Sequence, residues 1–349
     1  MGLKRIVGLL VFLGLATAGM IYLRSKNTSP PKLRVSTWSN YFPDSVIQDF
    51  TAKTGIKVEL SYISSNEELF AKLKAGATGF DIVQPSDYMV RQLKSLSMLS
   101  KLDPTLLPNL SQLEDYYKNL SYDPGNEYSV PFTWGTSGIA VNTSKINLKE
   151  NEVSWELLFN SPSPRQTSLL DDMREVFSGV LFLNKLSPNS RDTTALALAK
   201  KQISHIKNRV LMFTSEPKPL LLREELFIAH IFSSDAVQAQ VENPAIKYFI
   251  PKEGGIIWTD NFAIPASSQH KLQAHVFIDY FLTPENALAT VRQSHLASPN
   301  KGVKALLSPD EKNDPNIYPS SENFKKLLFL EDIGDTLPLI NRMWTELKS

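Results

Sequence analysis

The sequence has no cysteine among its 349 residues. That excludes disulfides, a lipid-bearing N-terminal cysteine, a thiol nucleophile and any cysteine-based metal site. An exported chain without disulfides must be held by its core, and this length is sufficient for one. An excess of one charge is equally absent. The 37 Lys and Arg against 36 Asp and Glu leave a formal net charge of +1, which argues against nucleic acid or an anionic membrane surface as partner. Histidine is scarce. Of five, only His270 and His275 stand close together, and an i, i+5 interval does not share one helix face, so no metal or other cofactor is predicted. Neither a Gly-x-Ser-x-Gly elbow nor a phosphate-binding glycine loop occurs.

What is present begins with an export signal. Lys4 and Arg5 precede an apolar run over 6–23, which contains the small-x-small sequence Ala16-Thr17-Ala18 and gives way to a polar, proline-containing stretch at 25–31. This pattern predicts a signal peptide over 1–24. An uncleaved anchor is the alternative, because 18 apolar residues approach the length that spans a bilayer and Arg24 and Lys26 flank the far end. Both readings place the rest of the chain outside the cytoplasm, in the periplasm.

The remaining length suggests two domains. Strand and helix patterns alternate: strand 33–37, helix 44–54 stopped by Gly55, strand 56–63, a helix through 73 opened by Ser65 with Glu68 at capping-box spacing, and strand 81–83 with an exit loop at 85–88. A long β-prone stretch at 129–141 leads to a second set. Its strands are predicted at 168–170, 210–213 and 226–232, its helices at 173–183, 194–208 and from 234, and an extended segment follows at 256–264. Two helices, 270–282 and 284–293, come next. The βαβα rhythm predicts two α/β lobes, each a mostly parallel sheet flanked by helices, with a hinge near 133–140 and 258–264 and a ligand cleft between the lobes. The expected division is 33–137 plus 263–308 for one lobe and 138–262 plus 309–349 for the other.

Ligands in such sheets sit beyond the carboxyl ends of strands, so the exit loops carry the candidates. They supply Trp38, Ser39, Tyr41, Ser86, Tyr88, Asp171, Asp172, Glu175, Phe232, Trp258 and Asp260. Aromatics and carboxylates dominate, and Arg174 is the one cation close by. This composition suits a polyamine. Each ammonium needs a carboxylate, since a buried unpaired charge costs several kcal/mol. The methylene segments need aromatic area, which adds cation–π attraction of roughly 0.5–2 kcal/mol per contact. A sugar site would use similar side chains and is the nearest competitor, whereas a phosphate site would want helix N-termini and arginine.

From 33 to 349 the sequence resembles the periplasmic spermidine/putrescine-binding proteins of ABC importers. The resemblance rests on several segments in order. They are Trp38-Ser39-Asn40-Tyr41, Phe50-Thr51-Ala52-Lys53-Thr54-Gly55-Ile56-Lys57-Val58, Ser65-Asn66-Glu67, Pro85-Ser86-Asp87-Tyr88, Pro131-Phe132-Thr133-Trp134-Gly135, Asp171-Asp172-Met173-Arg174-Glu175-Val176-Phe177 and Pro251-Lys252-Glu253-Gly254-Gly255-Ile256-Ile257-Trp258-Thr259-Asp260. It implies a type II periplasmic binding protein fold, a monomer that hands its polyamine to a membrane permease, and no catalysis. It further implies Trp38, Tyr41, Tyr88 and Trp258 as aromatic walls, Ser39 and Ser86 as hydrogen-bonding partners of a terminal ammonium, and Asp172, Glu175 and Asp260 as its charge partners. Three positions depart: Asn40 stands where the family usually has an acid, Phe232 where it has Trp, and Leu330 where it has Gln.

Simpler roles are open to several of these residues. Asp172 and Glu175 have capping-box spacing. Trp258 in a strand could be core, and Tyr41 and Tyr88 could be surface aromatics. Asp260 in an apolar stretch is hardest to explain without function. Other functions in view are the same fold with a different solute (sugar, ferric ion or amino acid), an exported glycosidase using the paired carboxylates, and an anchored sensor.

Overall fold

The computed structural model describes residues 32–349 except 77, 78, 150, 151 and 164. The expected export signal lies outside the described residues. Among those residues no helix is long and apolar enough to cross a membrane.

Leu33 and Val35 alternate with charged residues in β1 (Lys32–Thr37), and both are fully buried. β2 (Lys57–Tyr62) and β3 (Ile82–Val83) flank β1 in parallel. The intervening helices follow from local chemistry. Asp44–Thr54 buries Val46 and Phe50 and ends on Gly55 at φ +71°, a left-handed conformation that glycine adopts without a Cβ clash. Asn66–Lys74 starts where the Ser65 side chain accepts from the Glu68 N–H.

The middle of the sheet is different. β4 (Ser129–Asn142) has all fourteen residues buried, as a strand covered on both faces must. It runs antiparallel to β9 (Gly255–Ala263), from Ser129 opposite Ala263 to Ser137 opposite Ile256. Beyond β4 lie β7 (Ile228–Phe232), β5 (Thr167–Leu169) and β6 (Met212–Phe213), the last three mutually parallel. β8 (Ile246–Phe249) and β10 (Leu327–Phe329) add to β4 and β9, giving the order β2-β1-β3-β9-β4-β7-β5-β6. Two parallel sets are thus joined through one long antiparallel pair. The register shifts between Pro131 and Thr133, where proline has no N–H for the ladder, and such a shift re-aims the neighbouring side chains.

One core gathers Leu33, Val35, Phe50, Phe262, Phe277 and Phe281, and a second gathers Ile139, Trp155, Phe177, Val180 and Ile228. Each fully buried side chain of this size contributes about 1.5–3 kcal/mol. Trp38 and Trp258 pack against both cores.

Several expected boundaries move for local reasons. Tyr88 sits in the first turn of the helix Asp87–Ser95 and not in a loop, and it is buried. The strand expected at 226–232 begins at Ile228, because the Leu226 N–H closes onto the Leu220 carbonyl at the end of the helix Pro217–Leu222. β6 begins at Met212, because the Val210 N–H still bonds the Ile206 carbonyl of the preceding helix.

Candidate functional site

Asp260 of β9 is 2% exposed. Ser86 Oγ donates to its Oδ1 at 2.8 Å, and the Tyr41 hydroxyl donates to Oδ2. Asn66 holds Ser86 in place: its Oδ1 accepts from the Ser86 N–H at 3.0 Å and its Nδ2 donates to Ser86 Oγ at 3.1 Å. Ser86 and Asp260 also form an antiparallel bridge. The exits of β1 and β3 therefore meet β9 at one carboxylate. Burial pushes the Asp260 carboxyl up to about 6, while hydrogen bonds from Tyr41 and Ser86 pull it back. Burial and this carboxylate together push the Tyr41 hydroxyl well above its ordinary value.

Trp258 lies two residues before Asp260, on the same face of β9. It stands opposite Gly135 in the ladder, where a Cβ would meet the indole at 2.6 Å. Only glycine lets the ring lie this close to β4. Phe232 meets Trp258 edge-on, 5.8 Å between centroids. Asp235, in the first turn of the helix Ser233–Glu242, reaches Tyr41 with its field, and burial raises its own carboxyl to about 6.

A second group of side chains assembles around the helix Met173–Leu183. Asp172 caps it, accepting from the Arg174 and Glu175 N–H groups at 2.8 and 3.1 Å. Glu175 does not close a capping box. It turns inward, where Oε1 accepts from Ser137 Oγ at 2.9 Å and Oε2 lies 3.6 Å from His230 Nε2. Burial, then the negative charges of Glu67 and Glu175, raise the Asp172 carboxyl to about 8. The Tyr88 hydroxyl donates to Glu67 at 3.0 Å, and the Arg174 guanidinium stands over the Tyr88 ring, 5.6 Å from its centroid. Arg174 is buried and donates to the Glu331 carbonyl and to Asn189, both at 3.1 Å. Asp171 faces outward onto Lys348.

Thr133, Gly135 and Ser137 pair with Asp260, Trp258 and Ile256, and directly opposed residues share a sheet face. Asp260, Trp258 and the Ser137-bound Glu175 therefore stand in a row, with about 13 Å of strand between the two carboxylate ends. Ser39 joins none of these hydrogen bonds and is exposed. Asn40 is exposed too, at φ +60°, and borders a polar cavity of about 410 Å³ with Lys218, Glu242, Arg292 and His295. Leu330 is buried among apolar side chains. Asn66 and Glu67 are legible only as part of the Ser65-Asn66-Glu67 segment, and Asp235 and His230 are not among the sequence candidates. The one available signal was a histidine inside the apolar strand sequence Ile228-Ala229-His230-Ile231-Phe232.

Two parallel strand sets linked by a long antiparallel pair, with carboxylates and aromatics converging where they join, define a two-lobed solute-binding fold of type II. The chain belongs to the bacterial extracellular solute-binding protein family, whose model matches residues 45–319. It is 33% identical over 316 residues to spermidine/putrescine-binding periplasmic protein 1 of Haemophilus influenzae, covering 90% of this chain and 88% of that one. It is 33% identical over 314 residues to the spermidine/putrescine-binding periplasmic protein of Escherichia coli, covering 89% and 90%. Among solved structures, the spermidine/putrescine ABC transporter substrate-binding protein of Streptococcus pneumoniae superposes with a TM-score of 0.78 at 29% identity, covering 91% of this chain and 98% of that one.

Proposed function

We propose that this chain is an extracytoplasmic, non-enzymatic binding protein that captures a linear polyamine, putrescine or spermidine, in the cleft between its lobes and delivers it as a monomer to the membrane permease of an ABC importer. The observation that carries this reading is Asp260: a buried carboxylate held by two hydroxyl donors, beside Trp38 and Trp258, with no cation of the described residues in ion-pair contact. An ammonium supplies the missing charge, and the two indoles supply apolar area and cation–π attraction to the methylene chain. The row from Asp260 to Glu175 gives a second carboxylate at the other end of an extended guest. The names of the relatives point the same way. In this reading Trp38, Tyr41, Ser86, Tyr88, Asp172, Glu175, Phe232, Trp258 and Asp260 line the site, Ser39 reaches it only when the lobes close, and the lobes divide along 33–137 plus 263–308 and 138–262 plus 309–349.

Calorimetry of the purified protein with putrescine, spermidine, a neutral sugar and a neutral amino acid tests it. The expected outcome is micromolar or tighter binding of the polyamines and none of the neutral solutes. A protein that gave heat with the sugar and none with either amine would overturn the assignment.

A further inference from the structure

His230 lies in β7, is 1% exposed, and neither of its ring nitrogens has a hydrogen-bond partner among the described residues. Its Nε2 stands 3.6 Å from Glu175 Oε2, which is also buried and without a hydrogen-bond partner among them. Glu175 makes no other ion pair among the described residues, since the adjacent Arg174 is turned to the Glu331 carbonyl. The surroundings hold both groups in place. Trp155 packs edge-on to the imidazole, 5.0 Å between centroids. Ser137 fixes the far oxygen of Glu175. Tyr248 of β8, whose hydroxyl the Glu175 charge reaches, is hydrogen-bonded to Thr136 at 2.8 Å. Asp172 caps the same helix, and Glu253 lies beyond Trp155, bound to Ser154 and to the Trp155 N–H.

We infer that His230 is a positioning residue for Glu175. As imidazolium it is the built-in cation that holds the Glu175 charge while the cleft is empty, and it gives up its proton when a ligand ammonium takes over that carboxylate. The inference rests on the polyamine reading of the site. Histidine is the side chain whose ordinary titration falls between pH 5 and 8, and two cations facing one buried carboxylate repel each other. Binding therefore drives the Nε2 proton into solvent, at most one per ligand, and acidification opposes binding. A neutral, purely packing histidine would do neither. Asp172 and Asp260 carry raised carboxyls of about 8 and about 6, so ammonium binding releases protons from them as well, and only the difference between wild type and a His230 variant is diagnostic.

Calorimetry with putrescine in buffers of different ionisation enthalpy counts the released protons for wild type and His230→Gln. At pH 6 the variant is expected to release up to about one proton fewer. At pH 5.5 it should bind roughly tenfold more tightly than wild type, with the two within about threefold at pH 8. An unchanged proton count, or an equal loss of affinity at both pH values, overturns the inference. A second measurement needs no ligand: the imidazole ¹⁵N signals of wild type and Glu175→Gln at pH 6. His230 is expected as imidazolium in wild type and neutral in Glu175→Gln, and identical signals overturn the pairing. If wild type binds no amine at either pH, the functional reading fails while the nitrogen signals still decide the pairing. If His230→Gln does not fold, the wild-type His230 signal with and without putrescine decides instead; a signal that stays imidazolium on saturation overturns the proton handover.

Discussion

A carboxylate held by two hydroxyls and by no cation among the described residues, as Asp260 is held by Tyr41 and Ser86, puts binding and stability in opposition. Its folded acid is raised to about 6 from an ordinary 3.8. Between those values the folded chain keeps a proton that the unfolded chain has lost, so stability is lost as pH rises through that window. Asp172 and Asp87, raised to about 8 mainly by burial, extend the same trend upward. The ligand-free protein is therefore expected to melt at a higher temperature at pH 5 than at pH 8. Asp260→Asn should remove the part of this slope between about pH 4 and 6. Thermal unfolding across that range checks it, and a variant slope equal to wild type would refute the assignment of the proton. Ligand affinity moves oppositely. Removing one member of a buried charge pair costs about 2–5 kcal/mol, so Asp260→Asn should weaken polyamine binding by at least about 30-fold at pH 7.5. A loss below fivefold in calorimetry would mean that the ammonium sits elsewhere.

At the scale of elements, β4 both links the two strand sets and faces the row of Asp260, Trp258 and Ile256 on β9, and its two glycines separate these roles. A methyl at Gly135 meets the Trp258 ring at 2.6 Å and Leu296 at 2.9 Å, so Gly135→Ala must displace the indole. Overpacking of this kind costs about 1–3 kcal/mol, and the displaced ring should lower ligand affinity as well. A methyl at Gly138 meets the Phe249 carbonyl at 2.4 Å and the Tyr248 hydroxyl at 2.8 Å, both of β8 and on the sheet face away from Trp258. Gly138→Ala should lose stability while its folded fraction binds normally. Urea midpoints beside calorimetry separate the two, and equal affinities for both variants would contradict the placing of Trp258. The same elements show what sequence could disclose. The helices Asp44–Thr54 and Met173–Leu183 were readable to the residue, because apolar periodicity and end signals agree there. β8 and β10 are four and three residues long, too short for any period to register, and both went unpredicted. The site is legible as a set of residue types, yet its local rules are broken by diversion. Ser86 is an N-cap whose hydroxyl serves Asp260 in place of the helix. Asp172 and Glu175 have capping-box spacing, but only Asp172 caps, because Glu175 is drawn to Ser137 and His230 across the sheet. Residues that abandon local partners for distant ones are invisible to spacing alone, and they mark the place where function overrides local structure.

Over the whole molecule, β4 and β9 carry the sheet from one strand set to the other, and Trp38 and Trp258 lie against both cores. Where the sets meet, Glu67 and Glu175 act on the buried Asp172, and Arg174 stacks on Tyr88. On the polyamine reading, acids buried together in a water-poor cleft without a guest either repel or must take up protons, so the empty protein is expected to favour an open arrangement of its lobes. A guest with two or more ammonium groups reverses the sign of this term, and its differential affinity for the closed form is what moves the population. A shift from 1:99 to 99:1 requires about 5.5 kcal/mol, an amount that two desolvated ammonium–carboxylate contacts can supply. Small-angle scattering should therefore show a smaller radius of gyration on adding saturating putrescine or spermidine, with a matching change in indole fluorescence. Asp260→Asn, at the same amine concentration, should keep the larger radius. A wild-type radius that did not change while calorimetry reported full occupancy would mean that the cleft accepts its ligand already closed, and that repulsion between these carboxylates does not set the resting state.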